Sequence, residues 1–338
     1  MENSVKDKIK VAFIYKPSNP FLTPNYYDTT NYNFFWLALK RNPEIDISYF
    51  ASEGDFDTSQ LKNKFDIILI PSNYHNATPN LIGVNQLKIP VICKSSDPHY
   101  AKKLGIFQDK YHEKFKIDYY WGWMYEQYWH KFYPKDYKYE TIVFGIESDF
   151  FNNLKLFRDR IKGKILNTGQ IGNKKLKSRI ANRILNPHSN GWYFYKLRTL
   201  CNDLPYVIKQ TLGKGGPALK QEKFTGNNYY QFLSQYRAGI AATTFFPTAK
   251  YWEIPAAGCL TFMEITNRNF GEYLGFRDKK TAIFINEENY KDKFQEYLEN
   301  PDDSEWEKIA MQGRDYALSE FCNDKATEKL IKIMRNLI

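Results

Sequence analysis

The residues best suited to chemistry in this 338-residue chain are a lysine and a glutamate three positions apart. They lie in Thr248-Ala249-Lys250-Tyr251-Trp252-Glu253-Ile254-Pro255-Ala256-Ala257-Gly258, after an apolar run, Ala238 to Thr243, and a short loop, Thr244 to Pro247. The run reads as a buried strand, with Thr248 as N-cap of a helix that Gly258 stops. Strand, loop and helix start make an anion site, because backbone N–H groups and the positive end of the helix dipole point out of the loop. Lys250 adds a mobile positive charge there. Glu253, one turn further in, offers a carboxylate to hydroxyl groups. A phosphate-plus-sugar ligand needs both. The competing reading is an ordinary strand-to-helix junction with Glu253 in solvent. A second place for phosphate oxygens is the turn Gly169-Gln170-Ile171-Gly172-Asn173-Lys174-Lys175, which opens a helix from about Leu176 to Leu185 carrying Lys177, Arg179 and Arg183. A solvated lysine face would look the same.

Proton-transfer groups are sparser. Asp97 and His99, in Ser95-Ser96-Asp97-Pro98-His99-Tyr100, follow a strand-like run and are candidates for general-base work. Asp97-Pro98 is also a good helix start, and the two roles are compatible. Glu126 is a weaker candidate base, set in the aromatic stretch 111–139. Four cysteines, Cys93, Cys201, Cys259 and Cys322, lie far apart with no C-x-x-C pair, and histidine is scarce. That argues against zinc and fits a reducing compartment. The first loop has no glycine before Gly54, so a G-x-G-x-x-G dinucleotide fingerprint is missing, and Gly215-Gly216 lacks a Walker ending.

These residues need a scaffold of strands that end in loops. Short, nearly continuous apolar runs at Ile9–Tyr15, Asp46–Phe50, Asp66–Ile70, Ile89–Lys94 and Ile117–Trp121 alternate with helical segments, as in a parallel sheet covered on both faces. A further strand, Thr141 to Phe151, leaves this first domain. Runs at Lys164–Gly169, Tyr206–Ile208, Ala238–Thr243, Cys259–Met263 and Thr281–Ile285 form a second series. The expected architecture is α/β, with an N-terminal Rossmann-like domain over 1–152 and a second over 153–338. The apolar stripe Leu330, Ile331, Met334 and Leu337 of the last helix needs a surface to pack on, and the first domain is one candidate. The rings of 111–139 read mostly as core, with a minority at a cleft. The net charge of +10 suits nucleotide phosphates, an anionic membrane surface or nucleic acid alike. A polar N-terminus and the lack of any run near the ~18–20 apolar residues of a membrane span lead us to expect a cytoplasmic chain.

The segment Lys250-Tyr251-Trp252-Glu253-Ile254-Pro255-Ala256-Ala257-Gly258-Cys259-Leu260 resembles the K/R-x-x-E-I-P-A-x-G segment of group-1 glycosyltransferases, in the branch of spore-maturation-type enzymes. Three shorter echoes fall in the same order: Phe144-Gly145-Ile146 with Phe150, Thr168-Gly169-Gln170 with Arg179, and Phe224-Thr225-Gly226 with Tyr229 and Leu233. The resemblance covers about 140–338 and implies the GT-B fold, two Rossmann-like domains facing across a cleft. It implies a nucleotide-diphosphate sugar such as a UDP- or GDP-sugar as donor, a glycan or glycoconjugate as acceptor, and no cofactor. Glu253 would bond the ribose. Lys250, the Thr248 and Ala249 amides and Arg179 would hold the diphosphate beside Gly169 and Gln170, and Phe224 to Gly226 would border the base. Where retaining members carry a first Glu of an E-x7-E pair, this chain has Phe245, so the stereochemistry stays open. Asp97, then His99 and Glu126, are the candidate acceptor bases, and transfer is expected without a metal. Association with the inner face of a membrane fits these expectations. The alternatives are transfer to DNA bases and a non-catalytic protein that binds a glycan or partner.

Overall fold

A computed structural model describes residues 7–19, 33–73, 77–95, 111–185, 191–210 and 227–338. The chain divides into two compact units, Met1–Gly145 with Asn323–Ile338, and Ile146–Cys322. The first unit contains β1 (Ile9–Tyr15), β2 (Ile45–Ala51), β3 (Asp55–Asp57), β4 (Ile67–Ile70), β5 (Asn80–Ile82), β6 (Val91–Lys94), β7 (Ile117–Gly122) and β8 (Tyr139–Thr141). Six of them form one sheet in the order β2-β1-β4-β6-β7-β8, and β3 pairs with β5 apart from it. The pairs are parallel, with Val11 opposite Ile47 on one side and Ile67 on the other.

Successive side chains of a strand point to opposite faces, so a sheet covered on both sides needs apolar residues at every position. In β1, Val11 and Phe13 pack with Phe34, Phe35, Leu39 and Trp121 on one face. Ala12 and Ile14 pack with Ile68, Ile70, Cys93 and Tyr120 on the other. The aromatic stretch is mostly core, as read from the sequence: Tyr120, Trp121, Trp129 and Tyr133 are all buried. Trp129 stacks on Tyr133 and Tyr139 and donates from Nε1 to Ser95 Oγ at 2.7 Å.

The expected strand from Thr141 to Phe151 is not one element. Pairing ends at Thr141, and Ser148–Phe151 is a 3-10 turn. Residues 142–147 are all buried, Phe144 against Phe34, Trp121 and Trp123. Ile142 N–H still donates to Gly122 O at 2.8 Å and Ile146 makes an isolated bridge with Cys322, but no continuous ladder joins the two.

The last helix, Asn323–Arg335, belongs to the first unit and places Ala326, Leu330, Ile331 and Met334 in the same cluster as Val11 and Phe34. Asn323 is fully buried. Its Oδ1 accepts from Gly145 N–H at 2.7 Å and its Nδ2 donates to Asn33 Oδ1 at 2.7 Å.

The second unit holds β9 (Ile161–Thr168), β10 (Val207–Gln210), β11 (Tyr236–Ala241), β12 (Leu260–Glu264) and β13 (Ile283–Ile285), ordered β10-β9-β11-β12-β13 and parallel throughout. From β9 the chain runs outward to β10 and then returns to the other side at β11. The strand order therefore reverses between β9 and β11, and in such sheets ligands bind beyond the strand ends at that point.

Replacing Asn323 with Ala leaves Gly145 N–H and Asn33 Oδ1 without partners in the core. We expect it to destabilise the first unit by about 1–3 kcal/mol, read as a lower urea midpoint. An unchanged midpoint would show that the helix is held by its apolar stripe alone.

Candidate functional site

Both sequence candidates for phosphate binding sit at this reversal. Gly169 follows β9 directly, and the helix Lys250–Ala256 follows β11 after a short loop. Gly169 has φ +89°, a conformation that side-chain-bearing residues rarely adopt. A Cβ there would lie 2.8 Å from Lys250 Cε and 3.2 Å from Lys250 Nζ. The lysine side chain therefore crosses the glycine turn, in space that only glycine leaves open.

A second cation reaches the same turn. Arg198, on the helix Lys196–Cys201, is 2% exposed, and its Nη2 donates to Gln170 O at 2.5 Å. Its guanidinium stacks 4.3 Å over the Tyr195 ring, and a Cβ on Gly169 would be 3.9 Å from its Nη1. Arg198 Nε is buried with no hydrogen-bond partner among the described residues. Burial pulls the Arg198 pKa below the usual guanidinium value.

Lys250 is half-buried as a residue. Desolvation of its ammonium, and then the nearby Arg198 charge, lower its pKa to about 8, partly opposed by Glu253. Two cations held together out of water are unfavourable unless an anion joins them. Glu253 supplies part of that charge. It is 6% exposed, so the reading of Glu253 as a solvated helix residue does not hold. Its charge also helps push up the pKa of the buried Tyr229, after burial itself.

The Lys250 helix is set in place by a hydrogen-bonded hub. Tyr251 Oη accepts from Thr243 N–H at 2.9 Å and donates to Glu264 O at 3.0 Å. Asn269 Nδ2 donates to Thr243 O at 3.0 Å and Glu264 O at 2.6 Å. The ends of β11 and β12 and the first turn of the helix are thereby locked together. Gly258, at φ +72°, ends the helix as expected.

Thr248 is not its cap. Ala249 flanks the helix in helical conformation, with no side-chain cap, and Thr248 O accepts from Tyr251 N–H at 2.9 Å. The chain enters through a tight turn that satisfies the first donors with backbone carbonyls. Seven residues also make a small dipole. The local positive potential comes mainly from Lys250 and Arg198.

Next to this cluster a cavity of about 410 Å³ opens at the carboxyl ends of β11, β12 and β13, lined by Lys196, Thr244, Glu264, Arg268, Asn286 and Glu287. Lys196 pairs with Glu287. Glu264 is 4% exposed, and its Oε2 has no hydrogen-bond partner among the described residues. Burial, then Glu287, raises its pKa to about 7 against the pull of Arg198.

The other sequence candidates are placed as follows. Gln170 reaches the cluster through its carbonyl. Arg179 stacks 4.2 Å over Trp192, so Arg198 is the arginine seen at the turn. Glu126 lies on the surface with its side chain 60% exposed, 3.8 Å from His130 Nε2. Asp97, His99, Phe224 and Gly226 lie outside the described residues. Reading the sequence missed Arg198 and Glu264. The available signal was a charged residue set among apolar neighbours, Arg198 between Leu197 and Thr199-Leu200-Cys201, and Glu264 at the end of Cys259-Leu260-Thr261-Phe262-Met263-Glu264.

Two pH dependences follow. Pyrophosphate affinity should fall as pH rises through about 8, where Lys250 loses its proton, and Lys250→Met should remove that step. Calorimetric titration across the range decides it; an equal step in the variant would assign the titration elsewhere. Glu264 ionises more readily unfolded than folded, so stability should drop by about 3 kcal/mol as pH rises from 4.5 to about 7, then level off. Urea midpoints of Glu264→Gln should lack that drop. A drop of the same size would place its origin elsewhere.

Residues 196–332 match a family described as glycosyl transferase-like. None of the curated protein sequences matches the chain. Among solved structures it is similar to a sucrose-phosphate synthase from Thermosynechococcus elongatus, at 10% identity over 98% of this chain and 99% of that one, TM-score 0.56. A glycosyltransferase from Rickettsia africae gives 11% identity over 98% of each chain, TM-score 0.55. An alpha-glucosyltransferase in complex with UDP-glucose and DNA gives 9% identity over 97% and 100%, TM-score 0.55. The chain spans 57% of the length of a pneumococcal O-GlcNAc transferase. The two parallel α/β units thus have the GT-B fold of these glycosyltransferases, and residues 196–332 carry the sequence pattern of the glycosyl transferase-like family.

Proposed function

We propose that this protein transfers a sugar from a nucleotide-diphosphate sugar, a UDP-sugar first among them, to a glycan or glycoconjugate acceptor without using a metal. One observation carries the reading: Lys250 and Arg198 converge on the Gly169 turn at the strand-order reversal, with buried Glu253 beside them. The family match over 196–332 and the UDP-glucose bound by a protein of the same fold support it.

The chemistry follows from the charges. Breaking the bond between sugar and phosphate leaves negative charge on the departing diphosphate. Cations fixed in a partly desolvated site stabilise that charge more than water does, and they need no reorganisation as the bond breaks. In this proposal Lys250 and Arg198 take that charge and Glu253 accepts hydrogen bonds from the ribose hydroxyls. Phe224 to Gly226 border the base. Asp97, with His99 and Glu126 behind it, is the proposed acceptor base. Phe245, half-buried 6.1 Å from the Phe194 ring, stands where a first carboxylate would be, so Glu253 acts without a paired glutamate. Within the group-1 enzymes we assign the chain to the spore-maturation-like branch, on its Lys250–Leu260 segment. A DNA acceptor is the second reading, favoured by the net charge of +10; strongly salt-dependent duplex binding would select it.

UDP should raise the melting temperature of the wild-type protein by mass action. Glu253→Ala should fold but lose both this stabilisation and UDP-sugar turnover. Full turnover in a folded Glu253→Ala protein would remove Glu253 from the site. No response of the wild type to any nucleoside diphosphate would remove the donor.

A further inference from the structure

The helix Leu176–Leu185 is packed inside out. None of its ten residues is buried. The three that are half-buried, Ser178, Arg179 and Asn182, are polar. Its apolar residues face outward: Leu176 is 65% exposed, Ile180 52%, Ile184 73% and Leu185 72%. Leu176, Ile180 and Ile184 recur every four residues and so form one stripe along the helix. Only eight large apolar side chains are strongly exposed among the described residues, and four of them belong to this helix. A surface helix normally turns its apolar stripe to the core. Here the polar side faces the protein, and Arg179 anchors it on the Trp192 ring.

Charge selects what the stripe meets. Lys177 and Arg183 flank it on opposite sides, both exposed, with Lys175 at its start. From Arg160 through Asn202 the sequence has ten lysines and arginines and no aspartate or glutamate. That excess equals the net charge of the whole chain. Aliphatic residues rimmed by long cationic side chains suit a bilayer surface with anionic headgroups: the stripe enters the acyl boundary and the stems carry their charges to the phosphates. A second copy of the chain would set these cations against their like.

We propose that the helix Leu176–Leu185 docks the second unit on an anionic membrane surface, with Leu176, Ile180 and Ile184 inserted and Lys175, Lys177 and Arg183 on the headgroups. The proposal is independent of the donor and the reaction.

The test is co-sedimentation with vesicles of phosphatidylcholine alone and of phosphatidylcholine with phosphatidylglycerol. Wild-type protein should bind the mixed vesicles at least tenfold more tightly than the neutral ones, and less tightly as salt rises. Ile180→Ser with Ile184→Ser should lose at least tenfold of that binding while keeping the wild-type melting temperature, since both side chains are exposed. Lys177→Glu with Arg183→Glu should lose it too. Undiminished binding by the folded Ile variant would overturn the proposal, as would equal binding to both vesicles or none to either. So would binding of duplex DNA or an acidic protein through this helix without vesicle binding.

Discussion

The site in the second unit depends on two cations held together where water is scarce. Lys250 and Arg198 converge on one left-handed glycine, and the lysine's lowered pKa, near 8, records the cost of that arrangement. Such a pair opposes folding unless something negative completes it. Glu253 goes part of the way. Arg198 Nε, without a hydrogen-bond partner among the described residues, leaves donor capacity over. A site that stores unfavourable charge in this manner is prepared for an anion before the anion arrives, and under the proposed function that anion is the leaving diphosphate.

The rest of the unit supplies rigidity. The reversal of strand order between β9 and β11 leaves a gap beyond the strand ends, and the Gly169 turn and the Lys250 helix fill its two sides. The Tyr251 hydroxyl, the Asn269 amide and the carbonyls of Thr243 and Glu264 tie the helix to the strands beneath it. Every residue from Tyr251 to Ala256 is buried, so the helix has little freedom to shift. The lysine side chain, at the first position of that helix, projects out of a fixed frame across the glycine.

Much of this was legible in the sequence because burial writes itself into apolar runs. The limits of β1 and of the Leu176–Leu185 helix agree with those read from the sequence, and the Gly169 turn and the Lys250 segment, two separate candidates in the sequence, lie side by side. What was not legible depends on tertiary contact. Arg198 reaches Gln170 from 28 residues along the chain, and nothing local announces it. Glu253 looked as well suited to solvent as to a site, because a helix buried all round has no polar face from which to judge. Thr248 has the residue type of a cap, but the backbone turn had already satisfied the donors it would serve. The Leu176 helix shows its period plainly, yet a period gives a stripe and not the direction the stripe faces. The apolar run from Ile142 to Ile146 misled for a related reason: it reports burial, and continuous pairing is a separate matter.

The most direct measurement of the central claim is a crystal structure of the protein grown with UDP. The account predicts the diphosphate oxygens within hydrogen-bond distance of Lys250 Nζ and the Arg198 guanidinium, with the ribose hydroxyls on the Glu253 carboxylate. A UDP bound elsewhere, with Lys250 and Arg198 still facing the Gly169 turn and no phosphate between them, would contradict it.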